Sequence, residues 1–235
     1  EIDEIANLGV KEIFIHDDTF TLKRSRVVGI CKGMIERGYD ITWEARTRVD
    51  CIDEELLALM RKAGCHRLSF GVESGSEKVL KSMNKGIKAG CVEKVFEWCR
   101  KEGIVTLADF MVGNLDEEIE DIRKSFDLAK RINPDYIQYS ICSPYPNTPL
   151  YKLGLESGLI QRDVWLDFAN NPLKGFQSPM WTQNFTEEEL GKITSKAYRA
   201  FYMRPSFILR QLMRIKSFDQ FNTMLRGAVG MLMKK

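Results

Sequence analysis

A repeated junction between a helical stretch and an apolar run constrains this chain more than any other feature. Five times, a helix-like segment ends in Gly or Asn and an apolar run follows at once. Gly or Asn in that position supplies the left-handed residue that ends a helix, and runs rich in Ile, Val, Phe and Tyr suit strands. The sequence therefore predicts five strands, at residues 10–16, 40–46, 66–72, 104–112 and 135–141.

The spacing of these junctions predicts how the strands are connected. Successive junctions are each about one βα unit apart, at Gly9, Gly38, Gly64, Gly103 and Asn133. Such alternation is typical of parallel strands joined by crossover helices. The sheet could curl toward a barrel or lie flat as a doubly wound sheet. The barrel is favoured because no Gly-rich dinucleotide-binding loop follows any predicted strand.

Polar residues also predict where three helices begin. Asp53 precedes the helix-like run EELLALM, and Ser74 with Glu77 and Thr186 with Glu189 have the spacing of a capping box.

Polar residues follow four of the five predicted strands, and functional sites of such folds lie where strands end. Glu73 is the sharpest candidate, because a carboxylate there could accept two hydrogen bonds from a ribose diol or pair with an ammonium group. The alternative is a structural pairing of Glu73 with Arg46, Arg48 or Lys85. The two arginines could instead clamp a carboxylate or phosphate with their planar forks.

The strand end His16-Asp17-Asp18 leaves a second chemistry open. Imidazole and carboxylates are common metal ligands, so these residues could serve a metal-dependent lyase or aldolase-type barrel. Alternatively, Asp17 or Asp18 caps the next helix or fixes a loop. A non-catalytic binding module is the third possibility. It would act through the apolar, basic tail from Pro205 to Lys235, which is expected to be helical.

Composition narrows the class of protein and its surroundings. The six cysteines are too far apart for a clustered metal motif and too irregular for a disulfide framework, which indicates a reducing, cytoplasmic environment. The net charge of +2 gives no overall attraction to nucleic acid. No apolar run approaches the roughly 18 residues of a membrane span. Neither nucleic acid nor a membrane span is therefore expected, and the oligomeric state is left open.

Several segments resemble the radical S-adenosylmethionine (SAM) superfamily, in its branch with an N-terminal cobalamin-binding domain. The resemblance covers roughly residues 1–205 and rests on DDTFTLKRSRVVGIC, ITWEARTRVD, DEELLALMRKAGCHRLSFGVESGSEKVLKSMNKG, FMVGNLDEE, YSICSPYPNTPLY and AYRAFYMRP. This branch includes methyltransferases and the anaerobic magnesium-protoporphyrin IX monomethyl ester cyclase. The resemblance implies a partial (βα)₆ TIM-like barrel that cleaves SAM at a four-iron four-sulfur cluster, so that a 5′-deoxyadenosyl radical can abstract a substrate hydrogen. A small-molecule substrate is the partner that the resemblance implies.

The resemblance also implies that this chain is a fragment of the catalytic domain. The family holds its cluster with CxxxCxxC after the first strand, and the sequence contains neither. We therefore expect residues 1–150 to be a truncated barrel of strands two to six. Residues 151–235 would be a C-terminal helical extension, with a loop region before amphipathic basic helices. The cluster ligands and any cobalamin-binding domain would lie upstream, and the fragment alone would be inactive. Cobalamin dependence and the reaction, tetrapyrrole cyclisation or methyl transfer, stay open.

Seven residues are implied as cofactor-binding by the resemblance, and none as catalytic or metal-binding. Glu73 and Ser74 match the strand-end motif that holds the ribose or methionine part of SAM. Arg48 and Lys85 are plausible partners for the methionine carboxylate.

Three of the seven match the family's adenine-contacting wall. Met111 and Gly113 lie in the matching strand, and Ile141 would complete the wall. The chain departs from the family pattern after Gly113, where Asn114-Leu115-Asp116 replaces Pro-Gly-Glu, and at Asn147, where Gly is usual.

Overall fold

A computed structural model describes residues 1–172, 174–214 and 222. Its five strands form one parallel sheet in the order β1-β2-β3-β4-β5. The strands are β1 (Glu12–Ile15), β2 (Thr42–Thr47), β3 (Cys65–Glu73), β4 (Val105–Val112) and β5 (Tyr136–Ile141). All five predicted strands are confirmed. A strictly sequential order is that of a βα barrel, whereas a doubly wound sheet reverses direction near its middle.

Helices separate the strands, which confirms the α/β fold class. The helices are α1 (Ile2–Asn7), α2 (Arg24–Arg37), α3 (Glu54–Lys62), α4 (Glu77–Ser82), α5 (Ala89–Lys101), α6 (Ile119–Ile132), α7 (Pro149–Glu156), α8 (Val164–Asn170), α9 (Glu187–Tyr202) and α10 (Pro205–Arg214). No helix within the described ranges is long and apolar enough to cross a membrane. The predicted basic tail is helical as far as Arg214; apart from Asn222, its remainder lies outside the described residues.

The chain divides into two compact units. The first contains residues 1–110 and 120–138, and the second contains residues 111–119 and 139–235. The first unit therefore holds β1 to β3, α1 to α5 and most of β4 and α6. The second holds α7 to α10 and the last residues of β4 and β5. The division expected at residue 150 stays a prediction.

Within the first unit, the two faces of the sheet differ sharply. On β2, Trp43, Ala45 and Thr47 are buried, whereas Glu44 is half-buried and Arg46 is exposed. Side chains alternate between the two faces of a strand. One face of β2 therefore packs into the apolar core, and the other carries polar groups.

Helix caps follow the predicted pattern where they depend on local sequence. Asp53 caps α3 by accepting a 2.8 Å hydrogen bond from the backbone N–H of Leu56. Thr186 and Glu189 form the predicted capping box of α9, with both reciprocal bonds present. These polar side chains accept hydrogen bonds from backbone N–H groups that the helix itself leaves unpaired.

The capping box predicted for Ser74 and Glu77 is wrong. Helix α4 begins at Glu77 with Ser76 as its cap residue, and no side-chain cap bond forms. The fully buried Ser74 instead lies 3.1 Å from Ser125, measured between the hydroxyl oxygens. Ser125 also accepts a 2.9 Å hydrogen bond from the N–H of Gly75. The segment after β3 is therefore fixed to α6.

Gly75 should be essential to this junction. A Cβ at Gly75 would lie 2.3 Å from the carbonyl oxygen of Lys124 and 2.7 Å from the N of Ser125, both backbone atoms that cannot move aside. We expect Gly75→Ala to lower the free energy of unfolding by about 2–3 kcal/mol, measured by urea denaturation. Gly29→Ala in α2 is the control, because nothing lies within 4 Å of its added methyl group. Equal stability of the two variants would contradict the packing described.

Candidate functional site

Glu73 lies at the end of β3 in an unusual backbone conformation. Its φ of 66° is in the left-handed region, which residues other than glycine rarely adopt. The register between β3 and β4 also shifts between Gly71 and Glu73. In consequence the carboxylate approaches Gly71, and its Oε1 accepts a 2.8 Å hydrogen bond from Lys85 Nζ. The exposed fractions of the Glu73 and Lys85 side chains are only 19% and 17%, so the pair is largely shielded from solvent.

The missing side chain of Gly71 makes room for this pair. A Cβ at Gly71 would lie 2.5 Å from Glu73 Oε1 and 3.1 Å from Lys85 Nζ. Within the described residues, Glu73 Oε2 accepts no hydrogen bond and Lys85 Nζ donates only to Glu73. An ammonium group has three donors and a carboxylate has two acceptor oxygens. The cradle formed by Glu73 and Lys85 over Gly71 therefore keeps both an acceptor and donors for a ligand.

Arg48 supports this cradle through the backbone of Lys85. Its guanidinium donates a 2.9 Å hydrogen bond to the carbonyl oxygen of Lys85. It also forms a two-pronged contact with Asp50, at 2.9 and 2.7 Å. Hydrogen bonding to Arg48 lowers the pKa of Asp50 below its ordinary value. The structure thus brings Arg48 to the backbone of Lys85, and much of its hydrogen-bonding capacity is used by Asp50. The role predicted for Arg48 and Lys85 at the methionine carboxylate stays a prediction.

Asp109 is the residue that the sequence analysis missed. It is the register partner of Gly71 on β4, so it lies on the polar face beside the Glu73–Lys85 pair. Burial raises its pKa from 3.8 to about 6; the nearby Arg46 and Lys85 oppose this rise, and Glu73 adds to it. A single acidic residue in the otherwise apolar run VTLADFMV was the available signal.

The predicted adenine-contacting residues belong to the second unit, which is described by itself. Met111 and Ile141 are half-buried. Gly113 has a φ of 75°, and a Cβ there would lie 3.0 Å from the side chain of Leu190 on α9. Close packing against α9 therefore accounts for this glycine within its unit.

The segment that departs from the family pattern, residues 114–116, is held in place by hydrogen bonds of its backbone and side chains. Asp116 donates its N–H to Gln183 Oε1 at 3.0 Å, and Gln183 Nε2 donates to Asp116 Oδ1 at 2.8 Å. Asn114 donates both its backbone N–H and its side-chain amide to Glu117 Oε2, at 3.0 and 3.1 Å. The substituted residues thus fix this loop in place by hydrogen bonds.

The strand end His16-Asp17-Asp18 shows the geometry of a fixed loop. Asp17 accepts a 2.6 Å hydrogen bond from Arg26 and a 3.2 Å bond from the N–H of Thr19. Hydrogen bonding to Arg26 lowers the pKa of Asp17. Among the residues that the structure describes, no three His, Cys, Asp or Glu side chains are grouped to hold a metal ion. The metal-dependent alternative therefore gains no support here.

A sequential parallel sheet with helices between its strands is the arrangement of a βα-barrel type of protein. The sequence model described as the Radical SAM superfamily matches residues 1–129. The chain therefore belongs to the Radical SAM superfamily, which confirms the resemblance found in the sequence.

Two curated relatives show the range of proteins that the chain resembles. It is 32% identical over 221 residues to an uncharacterised methyltransferase of Pyrococcus horikoshii, covering 92% of this chain and 47% of that protein. It is 29% identical to the anaerobic magnesium-protoporphyrin IX monomethyl ester cyclase of Rubrivivax gelatinosus, covering 88% of this chain and 37% of the cyclase. The chain thus spans less than half the length of either relative.

Solved structures support the fold. The cobalamin-dependent SAM radical enzyme OxsB, with aqua-cobalamin and SAM bound, aligns with a TM-score of 0.64 at 15% identity, covering 96% of this chain and 39% of OxsB. The radical SAM methyltransferase TsrM of Kitasatospora setae aligns with a TM-score of 0.62 at 18% identity, covering 68% of this chain and 32% of TsrM. At these identities the likeness establishes the shared fold.

The raised pKa of Asp109 predicts a pH-dependent stability. An acid whose pKa rises from 3.8 to about 6 on folding binds its proton more tightly in the folded state. Its ionisation therefore lowers stability as pH rises between those values, and the full cost is present above them. Asp109→Asn removes this cost. The stability of the variant relative to the natural protein should rise by about 1–2 kcal/mol from about pH 4 to pH 8, after allowance for partial solvent screening. Chemical denaturation measures it, and a constant difference across that range would contradict the assignment.

Proposed function

We propose that this chain is the SAM-holding part of a radical SAM enzyme's catalytic domain, acting on a small organic molecule in the cytoplasm. The observation that carries the proposal is the shielded Glu73–Lys85 pair over Gly71. Membership of the superfamily supports SAM as the ligand of this cradle. The proposal follows the resemblance of Glu73, Ser74, Arg48 and Lys85 to the family's cofactor motif.

The chemistry of the donor set fits the polar parts of SAM. Glu73 and Asp109 offer carboxylate oxygens to a ribose diol, and Lys85 offers its remaining donors to a methionine carboxylate. Arg48 holds the Lys85 backbone at 2.9 Å and so positions the ammonium group. Ser74 shares a hydrogen bond with Ser125 and so fixes the end of β3 to α6. The family resemblance assigns Met111, Gly113 and Ile141 of the second unit to the adenine ring, and that assignment stays a prediction.

SAM bound to an iron–sulfur cluster supplies a carbon radical that can remove hydrogen from a substrate. The described residues do not fit such a cluster. The six cysteines are unpaired thiols, of which Cys31, Cys65, Cys99 and Cys142 are buried. Burial raises the pKa of Cys31 and Cys142 to about 11 and opposes the thiolate form that binds iron. We therefore propose that cysteines outside these 235 residues hold the cluster.

We propose two reactions, methyl transfer and oxidative cyclisation, and the names of two relatives support them. One relative is named a methyltransferase and the other a tetrapyrrole cyclase. OxsB and TsrM were both solved with cobalamin, which supports an upstream cobalamin-binding domain as a partner of this chain. The tetrapyrrole cyclase remains the more specific form of the proposal.

Binding of S-adenosylhomocysteine, which cannot be cleaved in this way, tests the cradle without a cluster. We expect Glu73→Gln and Lys85→Met each to weaken its binding at least about tenfold, because each removes a charge-assisted hydrogen bond. Gly71→Ala should act similarly without unfolding the protein, because its methyl group meets only the flexible ends of two side chains. Isothermal titration calorimetry at high ligand concentration measures these affinities.

Lys101→Met is the matched control for Lys85→Met, because Lys101 pairs with Glu54 in an exposed ion pair. Its affinity for S-adenosylhomocysteine should equal that of the natural protein. Unchanged affinity in Glu73→Gln and Lys85→Met would overturn the cradle. A second measurement uses protein that includes the cluster-binding segment, reduced in the absence of oxygen. Failure to form 5′-deoxyadenosine there would overturn the radical SAM activity itself.

A further inference from the structure

Three arginines lie on or next to the polar sheet face of the first unit, and only two of them are committed to partners. Arg67 on β3 donates to Glu44 at 2.8 Å, and Arg48 is held by Asp50 in the two-pronged contact described above. Arg46 is exposed on β2. Within residues 1–172 and 174–214 it makes no hydrogen bond or ion pair. Its guanidinium therefore keeps all five of its donors available.

Arg46 lies closer than the SAM cradle to the N-terminal ends of the strands. It precedes Arg48 by two residues on the same face, which corresponds to about 7 Å along the strand. Its register partner is Ser69 on β3, whereas the cradle lies beside Gly71, two residues further along β3. A group bound at Arg46 would thus lie on the same polar face as the cradle, on its side toward the N-terminal ends of the strands.

The charge of Asp109 interacts with that of Arg46, but Asp109 does not satisfy the guanidinium. The attraction works against the rise in the Asp109 pKa, yet burial still holds that pKa at about 6. The two side chains form no ion pair within 4.0 Å. The other nearby carboxylates, Glu44 and Glu73, are bonded to Arg67 and Lys85. No carboxylate among the residues that the structure describes is therefore bonded to the guanidinium of Arg46.

We propose that Arg46 is a specificity-determining residue that binds an oxyanion of the substrate, a carboxylate or a phosphate-type group, beneath the SAM cradle. A planar fork of N–H donors matches two oxygens of such a group and gives geometric selectivity as well as charge. This inference rests on the proposed function and deepens it, because it assigns the substrate to the class of organic acids.

Nitrogen-15 NMR of the arginine side chains tests this inference directly. The Arg46 Nε–Hε signal, identified by its loss in Arg46→Lys, is followed while benzoate or phenylphosphonate is added at constant ionic strength. We expect saturable shifts with a Kd of about 1–10 mM for at least one probe, and the tighter probe identifies the type of oxyanion. In Arg46→Lys, shifts of the Ser69 amide should report at least about fivefold weaker binding, because lysine lacks the fork.

Three results would overturn the proposal. The first is no saturable shift at about 50 mM of either probe, which is well above the expected Kd. The second is an equal response at Arg123, an exposed α6 arginine paired with Glu120, which would indicate unselective ion binding. The third is displacement of the probes by S-adenosylhomocysteine, which would assign Arg46 to the methionine carboxylate. Loss of S-adenosylhomocysteine binding at the cradle concerns the proposed function instead, so the two failures are distinguishable.

Discussion

The burial of only one face of a parallel sheet is the constraint on which this structure depends. Parallel strands usually have both faces covered, and they then read as continuous apolar runs. Here the buried positions, such as Trp43, Phe70 and Phe110, alternate with Arg46 and Asp109. In βα barrels the face away from the helices is the interior. The proposed ligand site lies on that face, at the carboxyl ends of the strands.

The strained end of β3 connects this constraint to the site. A left-handed conformation at a residue such as Glu73 costs about 1–3 kcal/mol and persists only where neighbouring contacts enforce it. Those contacts are buried: Ser74 lies 3.1 Å from Ser125, and Ser76 donates a 2.7 Å hydrogen bond to Asp121. The anchors to α6 thus hold the turn that directs the Glu73 carboxylate toward Lys85.

The sequence could predict the features that depend on neighbouring residues. It could not predict those that depend on how distant strands and helices align. The strands and the caps at Asp53 and Thr186 were predictable because each depends on residues within one turn or one strand. Ser74 has the spacing of a cap, but contact with a distant helix determines its partner. Asp109 gains its importance only from lying opposite Gly71, and that register depends on how β3 and β4 align. The charged strand end at Glu73 was found because its position relative to the strand is visible in the sequence.

Asp109 and Arg46 are the acid and the base on this face that form no ion pair among the described residues. The other charged groups near them are paired, as Glu44 with Arg67, Glu73 with Lys85, and Arg48 with Asp50. Asp109 and Arg46 attract each other without forming an ion pair, so the residues that the structure describes recover only part of the desolvation cost of Asp109. A ligand with a hydrogen-bond donor near Asp109 and an oxyanion near Arg46 would satisfy both groups at once. In the proposed site, the separation of these two residues along the sheet would therefore set the spacing of polar groups in the ligand.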